Sequence, residues 1–175
     1  MTNIFGLNLT ELTSLITDLN LPKFRAKQII EWLYQKHATS FNEMTNLSKD
    51  LREKLAQEFT IERAKSCDRL DSSDGKTTKF LLEFGDGIGV ETVLMRQPYG
   101  NSICVSSQAG CNMGCSFCAS TLHGMARNLS TGEILAQAMF IQELLNQTGE
   151  QINNIVIMGS GEPMLNYDNV LTSFV

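Results

Sequence analysis

The stretch SICVSSQAGCNMGCSFC, residues 102–118, contains four of the five cysteines of the chain and is the part that decides its fold class. It opens as a short strand, because apolar and small polar residues alternate at the period of two that strands require. It continues into a loop in which Cys111, Cys115 and Cys118 fall within eight residues. Thiols this closely spaced favour metal ligation in a reducing compartment over a disulfide framework.

The residues after this loop predict a helix and a second strand. Ser130 and Glu133 have the spacing of a capping box, and an apolar stripe at helical spacing follows them. Residues 155–158 are all apolar, as in a strand buried on both faces. Strand, crossover helix and strand form a βαβ unit, so we predict an α/β fold with a parallel sheet. A complete (β/α) barrel needs about 250 residues, and we therefore expect a partial, truncated barrel in residues 101–175.

The chain before residue 101 has a different character. Residues 1–60 show helical periodicity and predict a small module of three helices, whereas residues 61–100 predict a β linker or meander with Gly-rich turns. The net charge of −5 argues against a general polyanion binder. Basic side chains nevertheless cluster at Lys23, Arg25 and Lys27, so any nucleic-acid contact is expected in the helical module. A solvated helix face explains the same cluster equally well.

The cysteine spacing distinguishes between kinds of metal site. A [4Fe–4S] cluster with a full set of protein ligands uses four thiolates, so three would leave one iron open to a substrate's amino and carboxylate groups. Structural zinc is the alternative, with Cys104 or His123 as the fourth ligand. Zinc sites usually pair one cysteine unit of two to four intervening residues with a second ligand pair at a distance, a pattern that the chain does not have. The spacing favours the cluster, with unligated core cysteines as a third interpretation.

Four further positions are candidates for function. Gly161 and Glu162 follow the second strand of the βαβ unit, where ligands bind in parallel sheets; an ordinary turn is the alternative. Glu91 lies among apolar and small residues, and a buried strand would disfavour the charged form of its carboxylate, as a general base requires. Taken alone, Glu91 is better interpreted as a rim residue that reaches solvent. Cys104 shares a polar strand face with Ser102 and Ser106.

These motifs together resemble a known family. The string from Cys104 to Cys118, the triplet Arg127-Asn128-Leu129 and residues 158–166 (MGSGEPMLN) are similar to the radical S-adenosylmethionine dual-specificity methyltransferases, which methylate adenine C2 in 23S ribosomal RNA and transfer RNA. The similarity extends from about residue 24 to the end of the chain. It departs at His123-Gly124-Met125, where many members carry Gly-Phe, which affects local loop contacts.

The resemblance implies cofactors and roles. Cys111, Cys115 and Cys118 would hold a [4Fe–4S] cluster, and Gly161 with Glu162 would grip the amino group of S-adenosylmethionine. One S-adenosylmethionine methylates a cysteine near the family's C-terminus, and a second is cleaved at the cluster to a radical that activates this methyl group for transfer. Glu91 would remove the C2 proton, and Cys104 would release the product by forming a disulfide.

The resemblance also implies partners and a location. The substrates would be 23S rRNA and tRNA, and the electron donor would be a flavodoxin-type reductant. We expect a cytoplasmic monomer without membrane attachment. Since the methyl-carrying cysteine lies in the part of the family's sequence that this chain lacks, we expect the truncated chain to be inactive alone. Three alternatives stay open: an adenine-C8 rRNA methyltransferase, another radical enzyme, and a non-catalytic, zinc-stabilised RNA-binding module.

Overall fold

The computed structural model describes residues 1–174, which form two compact units. The first runs from Met1 to Arg63, and the second begins at Ala64. The last residue of the predicted barrel segment, Val175, lies outside the described residues. None of the helices in residues 1–174 has both the length and the apolar character needed to cross a membrane.

The first unit has the three helices that the sequence predicts. They are joined by a 3-10 turn and flanked by two short parallel strands: β1 (Thr2–Asn3), α1 (Leu9–Asp18), α2 (Phe24–Tyr34), α3 (Lys49–Glu58) and β2 (Phe59–Thr60). Their apolar faces meet in one buried core, which includes Leu12, Ile16, Ile29, Leu33 and Leu55. The helical module therefore has a hydrophobic core of its own.

Side chains cap two of these helices, α1 and α3. Ser48 accepts a hydrogen bond from the Leu51 N–H and caps α3. Asn8 caps α1, because its carboxamide accepts from the N–H groups of Thr10 and Glu11. Glu11 accepts the Asn8 N–H in return, which completes a capping box.

The second unit is built on a five-stranded mixed sheet. Its elements in chain order are β3 (Lys65–Asp71), β4 (Thr77–Glu83), β5 (Gly89–Gln97), β6 (Gly100–Cys104), β7 (Gln108–Gly110), β8 (Met125–Asn128), α4 (Thr131–Asn146), β9 (Ile152–Val156) and α5 (Tyr167–Thr172). The sheet order is β3-β4-β5-β6-β9, antiparallel as far as β6 and parallel between β6 and β9. The predicted βαβ unit is therefore present as β6-α4-β9.

Helix α4 covers one face of this sheet. The predicted capping box of Ser130 and Glu133 is present. Ile141 and Leu145 pack with the sheet residues Phe80, Leu82, Leu94, Ile103 and Val105. Because this face of the sheet buries Ile103 and Val105, Cys104 between them points to the opposite face.

The structure differs from the sequence-based boundaries in two ways. The meander β3–β5 continues into the sheet of the βαβ unit, so the chain divides near residue 63 and not at residue 100. Strands β6 and β9 also begin and end two or more residues earlier than expected. The apolar run 155–158 is also not buried on both faces as expected, since Ile155 is 41% exposed and Met158 is 80% exposed. Strand β6 ends early because both backbone polar groups of Ser106 bond to a side chain of α4.

Candidate functional site

The site lies where the parallel strands β6 and β9 both end. The segment after β6 leads to Cys111, and the segment after β9 contains Gly161 and Glu162. The Ser160 carbonyl accepts from the N–H groups of Ser107 (2.9 Å) and Gln108 (3.1 Å), and its hydroxyl accepts from Gly110 N–H at 3.1 Å. The two predicted binding segments are therefore bonded to each other.

Gly161 is required by a close approach. Its φ of +104° lies in the left-handed region, and a Cβ at this position would lie 2.6 Å from Cβ of Gln108. Glu162 follows, and its carboxylate Oε1 accepts the Met164 N–H at 3.0 Å, which caps a short 3-10 turn, Pro163–Asn166. Pro163 at the first position of this turn suits its fixed φ.

The cysteine loop is closed at its base by a two-stranded ribbon. Strands β7 and β8 pair antiparallel on either side of residues 111–124. Cys111 N–H donates to the Gly124 carbonyl at 3.2 Å, and Met125 N–H donates to Oδ1 of Asn112 at 2.9 Å. Gly110 has φ +77°, and a Cβ there would overlap the Gly124 carbonyl oxygen. The ends of the loop are thus held together by backbone contacts.

The three thiols occupy different environments in this loop. Cys111 is buried at the base, Cys118 is half-buried, and Cys115 is exposed. The Cys118 N–H donates to the Cys115 carbonyl at 3.0 Å, which places these two cysteines in one turn. Phe117 between them is 91% exposed, so it packs against no core. All five cysteines are free thiols.

The donor set fits a cluster in its chemistry but is not gathered into a preformed site. Among residues 1–174, no three side chains of His, Cys, Asp or Glu stand close enough together to hold a metal ion. Soft thiolates are nevertheless the ligands that iron–sulfur clusters and zinc prefer. One loop with fixed ends carries all three.

Glu91 and Cys104 lie on the sheet face opposite α4, on neighbouring strands. Cys104 pairs in register with Val93 of β5, so Glu91 is its diagonal neighbour, with Cα atoms roughly 7–8 Å apart. The Ser106 hydroxyl donates to the Glu91 carbonyl at 2.9 Å and accepts the Ser160 N–H at 2.9 Å. The strand of Glu91 is thereby connected to the segment that contains Glu162.

The environment of Glu91 differs from the buried strand that the sequence suggested. Its neighbours Val90 and Thr92 are buried, but Glu91 itself is exposed on the other face. Its carboxylate forms an ion pair of 2.7 Å with Nζ of Lys79. The expectation of burial was wrong because the strand alternates strictly, and the rim interpretation describes the residue correctly.

Cys104 is half-buried, in agreement with a polar but shielded strand face. Burial raises the pKa of its thiol above the ordinary value, and a hydrogen bond with the Met158 backbone offsets this in part. At neutral pH the thiol is therefore protonated.

Gln137 is a buried polar residue that the sequence analysis missed. Its Oε1 accepts from the Ser106 N–H at 2.8 Å and from the Thr92 hydroxyl at 2.9 Å. Its Nε2 donates to the Ser106 carbonyl at 3.0 Å. A glutamine between Ile134 and Ala138, on the apolar stripe of α4, is the sequence signal that could have revealed it.

Arg127 binds the ribbon to two other elements. Its guanidinium pairs with the Glu133 carboxylate at the start of α4 and with Asp86 in the turn between β4 and β5, each at 2.7 Å. The Glu133 pair is bidentate. This motif residue therefore helps to hold the base of the cysteine loop in place.

One basic residue of the helical module lies beside an exposed aromatic ring. Lys23 and Lys27 are exposed, and Phe24 is 54% exposed. The guanidinium of Arg25 lies 4.8 Å from the centre of the Phe24 ring. Cations beside an open aromatic face are the combination on which unpaired bases stack.

Comparison with solved structures defines the class. A radical SAM methyltransferase from Sphaerobacter thermophilus superimposes with a TM-score of 0.91 at 37% identity, over 99% of this chain and 51% of that one. The mixed α/β unit described above is thus the partial fold of a radical S-adenosylmethionine methyltransferase, as predicted from the sequence.

Comparison with known sequences narrows this class. Residues 2–61 match the ribosomal RNA large subunit methyltransferase N-terminal domain. The chain is 51% identical over 169 residues to proteins of Staphylococcus aureus strains JH9 and Newman, each described as "Probable dual-specificity RNA methyltransferase RlmN". These alignments cover 97% of this chain and 46% of each relative, so the chain spans about half their length. The resemblance to the dual-specificity RNA methyltransferase family is confirmed.

Proposed function

We propose that the protein is a radical S-adenosylmethionine methyltransferase that methylates C2 of a specific adenine in 23S rRNA and in tRNA. One observation carries the proposal: Glu91 and Cys104 share a sheet face, and Ser106 connects Glu91 to the segment of Gly161 and Glu162, beside the cysteine loop. The names of its relatives support the reaction class.

Two groups of residues would hold the cofactors. The thiolates of Cys111, Cys115 and Cys118 would bind a [4Fe–4S] cluster, and Glu162 would accept hydrogen bonds from the ammonium group of S-adenosylmethionine. When bound, these cofactors supply the methyl group and the radical chemistry for its transfer. The chain itself would orient them: Gly161 allows its segment to pack closely against Gln108, and the ribbon holds the base of the cysteine loop.

Glu91 and Cys104 would act on the RNA side of the reaction. Glu91 accepts the C2 proton of the adenine, for which its carboxylate must leave the ion pair with Lys79. Such half-exposed ion pairs contribute only about 0–1 kcal/mol, so this step costs little. Cys104 would attack the sulfur of the methyl-carrying cysteine, so that a disulfide forms as the sulfur–carbon bond to the RNA breaks and the released carbon takes up a proton. Burial raises the pKa of the Cys104 thiol, which keeps it protonated until then.

The remaining partners follow from the same proposal. The module of residues 1–60 contacts RNA through Lys23, Arg25 and Lys27, and the target adenine is read in an unstacked context, as sequence-specific RNA recognition usually requires. The part of the chain from Ala64 onward forms the catalytic unit. A flavodoxin-type protein supplies the electron, and the protein works as a cytoplasmic monomer.

The test is methyl transfer to RNA by the complete gene product that carries these 175 residues, reconstituted with iron and sulfide without oxygen. Mass spectrometry of the digested RNA is expected to show 2-methyladenosine. Glu91→Gln should abolish the product, whereas Lys79→Met, which removes only the ion-pair partner, should retain it. Recovery of 8-methyladenosine would contradict methylation at C2. Stoichiometric zinc without iron in the purified protein would contradict the proposed iron–sulfur cluster.

A further inference from the structure

Gln108 joins the two binding segments through its side chain. It is 1% exposed and lies in β7, three residues before Cys111. Its Oε1 accepts the Glu162 N–H at 2.9 Å, and its Nε2 donates to Oδ1 of Asn128 in β8 at 2.7 Å. One buried amide therefore bonds the backbone of Glu162 to the ribbon that closes the cysteine loop.

The neighbours of the Gln108 carboxamide determine which of its two ends is the oxygen and which is the NH₂ group. The Asn128 carboxamide donates through Nδ2 to the Leu165 carbonyl at 3.3 Å, so its Oδ1 is the end that faces Gln108. Gln108 must then present its NH₂ group to Asn128 and its oxygen to Glu162. The Gln108 side chain also lies directly beneath Gly161, where a Cβ would meet it. The position of Glu162 is thus constrained from two directions.

We propose that Gln108 is a positioning residue, which orients Glu162 toward the amino group of S-adenosylmethionine without touching the cofactor itself. This inference rests on the proposed function and adds a residue to it. Removing the amide leaves the Glu162 N–H without its acceptor, so the carboxylate samples orientations that do not meet the ammonium group. Binding of the adenosine part, which does not involve Glu162, stays unchanged.

The chain provides a matched control. Gln142 of α4 uses the same chemistry, because its Oε1 accepts the Ile152 N–H at 3.0 Å. This bond lies at the start of β9, at the other end of the strand from Glu162. Gln142→Met therefore removes a hydrogen bond of the same kind, from a half-buried position in the same unit, without affecting the site.

The experiment compares Gln108→Met with Gln142→Met and the unchanged chain, each within the complete gene product that carries these 175 residues, by two measurements. Hydrogen–deuterium exchange without cofactor should be faster at the Glu162 amide in Gln108→Met only. Equilibrium dialysis of the reconstituted protein should show S-adenosylmethionine binding weakened about tenfold, the loss expected for one hydrogen bond. Binding of 5′-methylthioadenosine, which lacks the amino acid part, should change by less than about twofold.

The other possible binding results would contradict either the proposed function or the positioning role of Gln108. If the unchanged chain binds neither ligand, the proposed function fails, and the role of Gln108 fails with it. If it binds both and Gln108→Met binds both equally well, the positioning role alone is wrong. If both ligands weaken together, Gln108 is a structural residue. Should Gln108→Met not fold, Asn128→Ala removes the partner of Nε2 from an exposed position and should weaken S-adenosylmethionine selectively, by about threefold.

Discussion

Replacing Gln137 with leucine is expected to destabilise the second unit strongly. The substitution removes the partner of three fully buried groups: the Thr92 hydroxyl and the N–H and carbonyl of Ser106. Each buried polar group left without a partner costs about 1–3 kcal/mol. The added apolar contacts of leucine offset part of this, so we expect a loss of about 3–5 kcal/mol. A domain has only about 5–15 kcal/mol of stability.

The assay is native-state hydrogen exchange of amides in β5, β6 and α4. The only tryptophan, Trp32, lies in the first unit, so its fluorescence is not a measure of this change. Exchange reports the opening free energy of each segment separately. Gln142→Leu serves as the control, because Gln142 is only half-buried and water can replace the lost amide.

A double substitution separates the buried network from simple packing. Thr92→Val removes the hydroxyl that Gln137→Leu leaves unsatisfied, so the pair should be less destabilised than the two single changes together, by about 1–2 kcal/mol. Strict additivity, or a loss below about 1 kcal/mol for Gln137→Leu alone, would refute the network argument.

Three further predictions concern the thiols and the basic residues. Alanine at any one of the predicted cluster ligands, Cys111, Cys115 or Cys118, should abolish iron binding measured by metal analysis. Cys67→Ala should leave iron binding unchanged. Lys23→Glu with Lys27→Glu should weaken RNA binding and reduce its salt slope by about two counterions; unchanged affinity and slope would show that this surface does not bind RNA. Alkylation of Cys104 should be slow at neutral pH and should accelerate only as the pH rises above the ordinary thiol range, because its pKa is raised; rapid modification at pH 7, mapped by mass spectrometry, would contradict this.

The βαβ unit was predictable because its signals are local. The Ser130–Glu133 capping box and the apolar spacing of α4 are contained within one element, and both are present. The position of Gly161 after a strand likewise follows from the chain order alone. The side-chain roles of the candidate residues stay predictions.

The parts that the sequence did not predict depend on contacts between distant residues. The apolar and small neighbours of Glu91 suggested a buried strand, but only the sheet pairing decides which face each residue occupies. Gln137 contacts residues 31 and 45 positions away. The same reason explains why the meander β3–β5 is part of the main sheet. The order of strands in a sheet is not encoded in the composition of each strand.

The β7–β8 ribbon at the base of the cysteine loop lowers the conformational entropy cost of metal binding. Closing a flexible segment of fourteen residues, from Cys111 to Gly124, costs about 2 kcal/mol in chain entropy, and the β7–β8 pairing has already met this cost in the folded chain. A ligand that collects the three thiols therefore orders only the interior of the loop. The affinity of the loop for a metal should therefore depend on the stability of the β7–β8 pairing. Substitutions of Gly110 or Gly124 that destabilise this pairing should lower the affinity, although all three ligands remain.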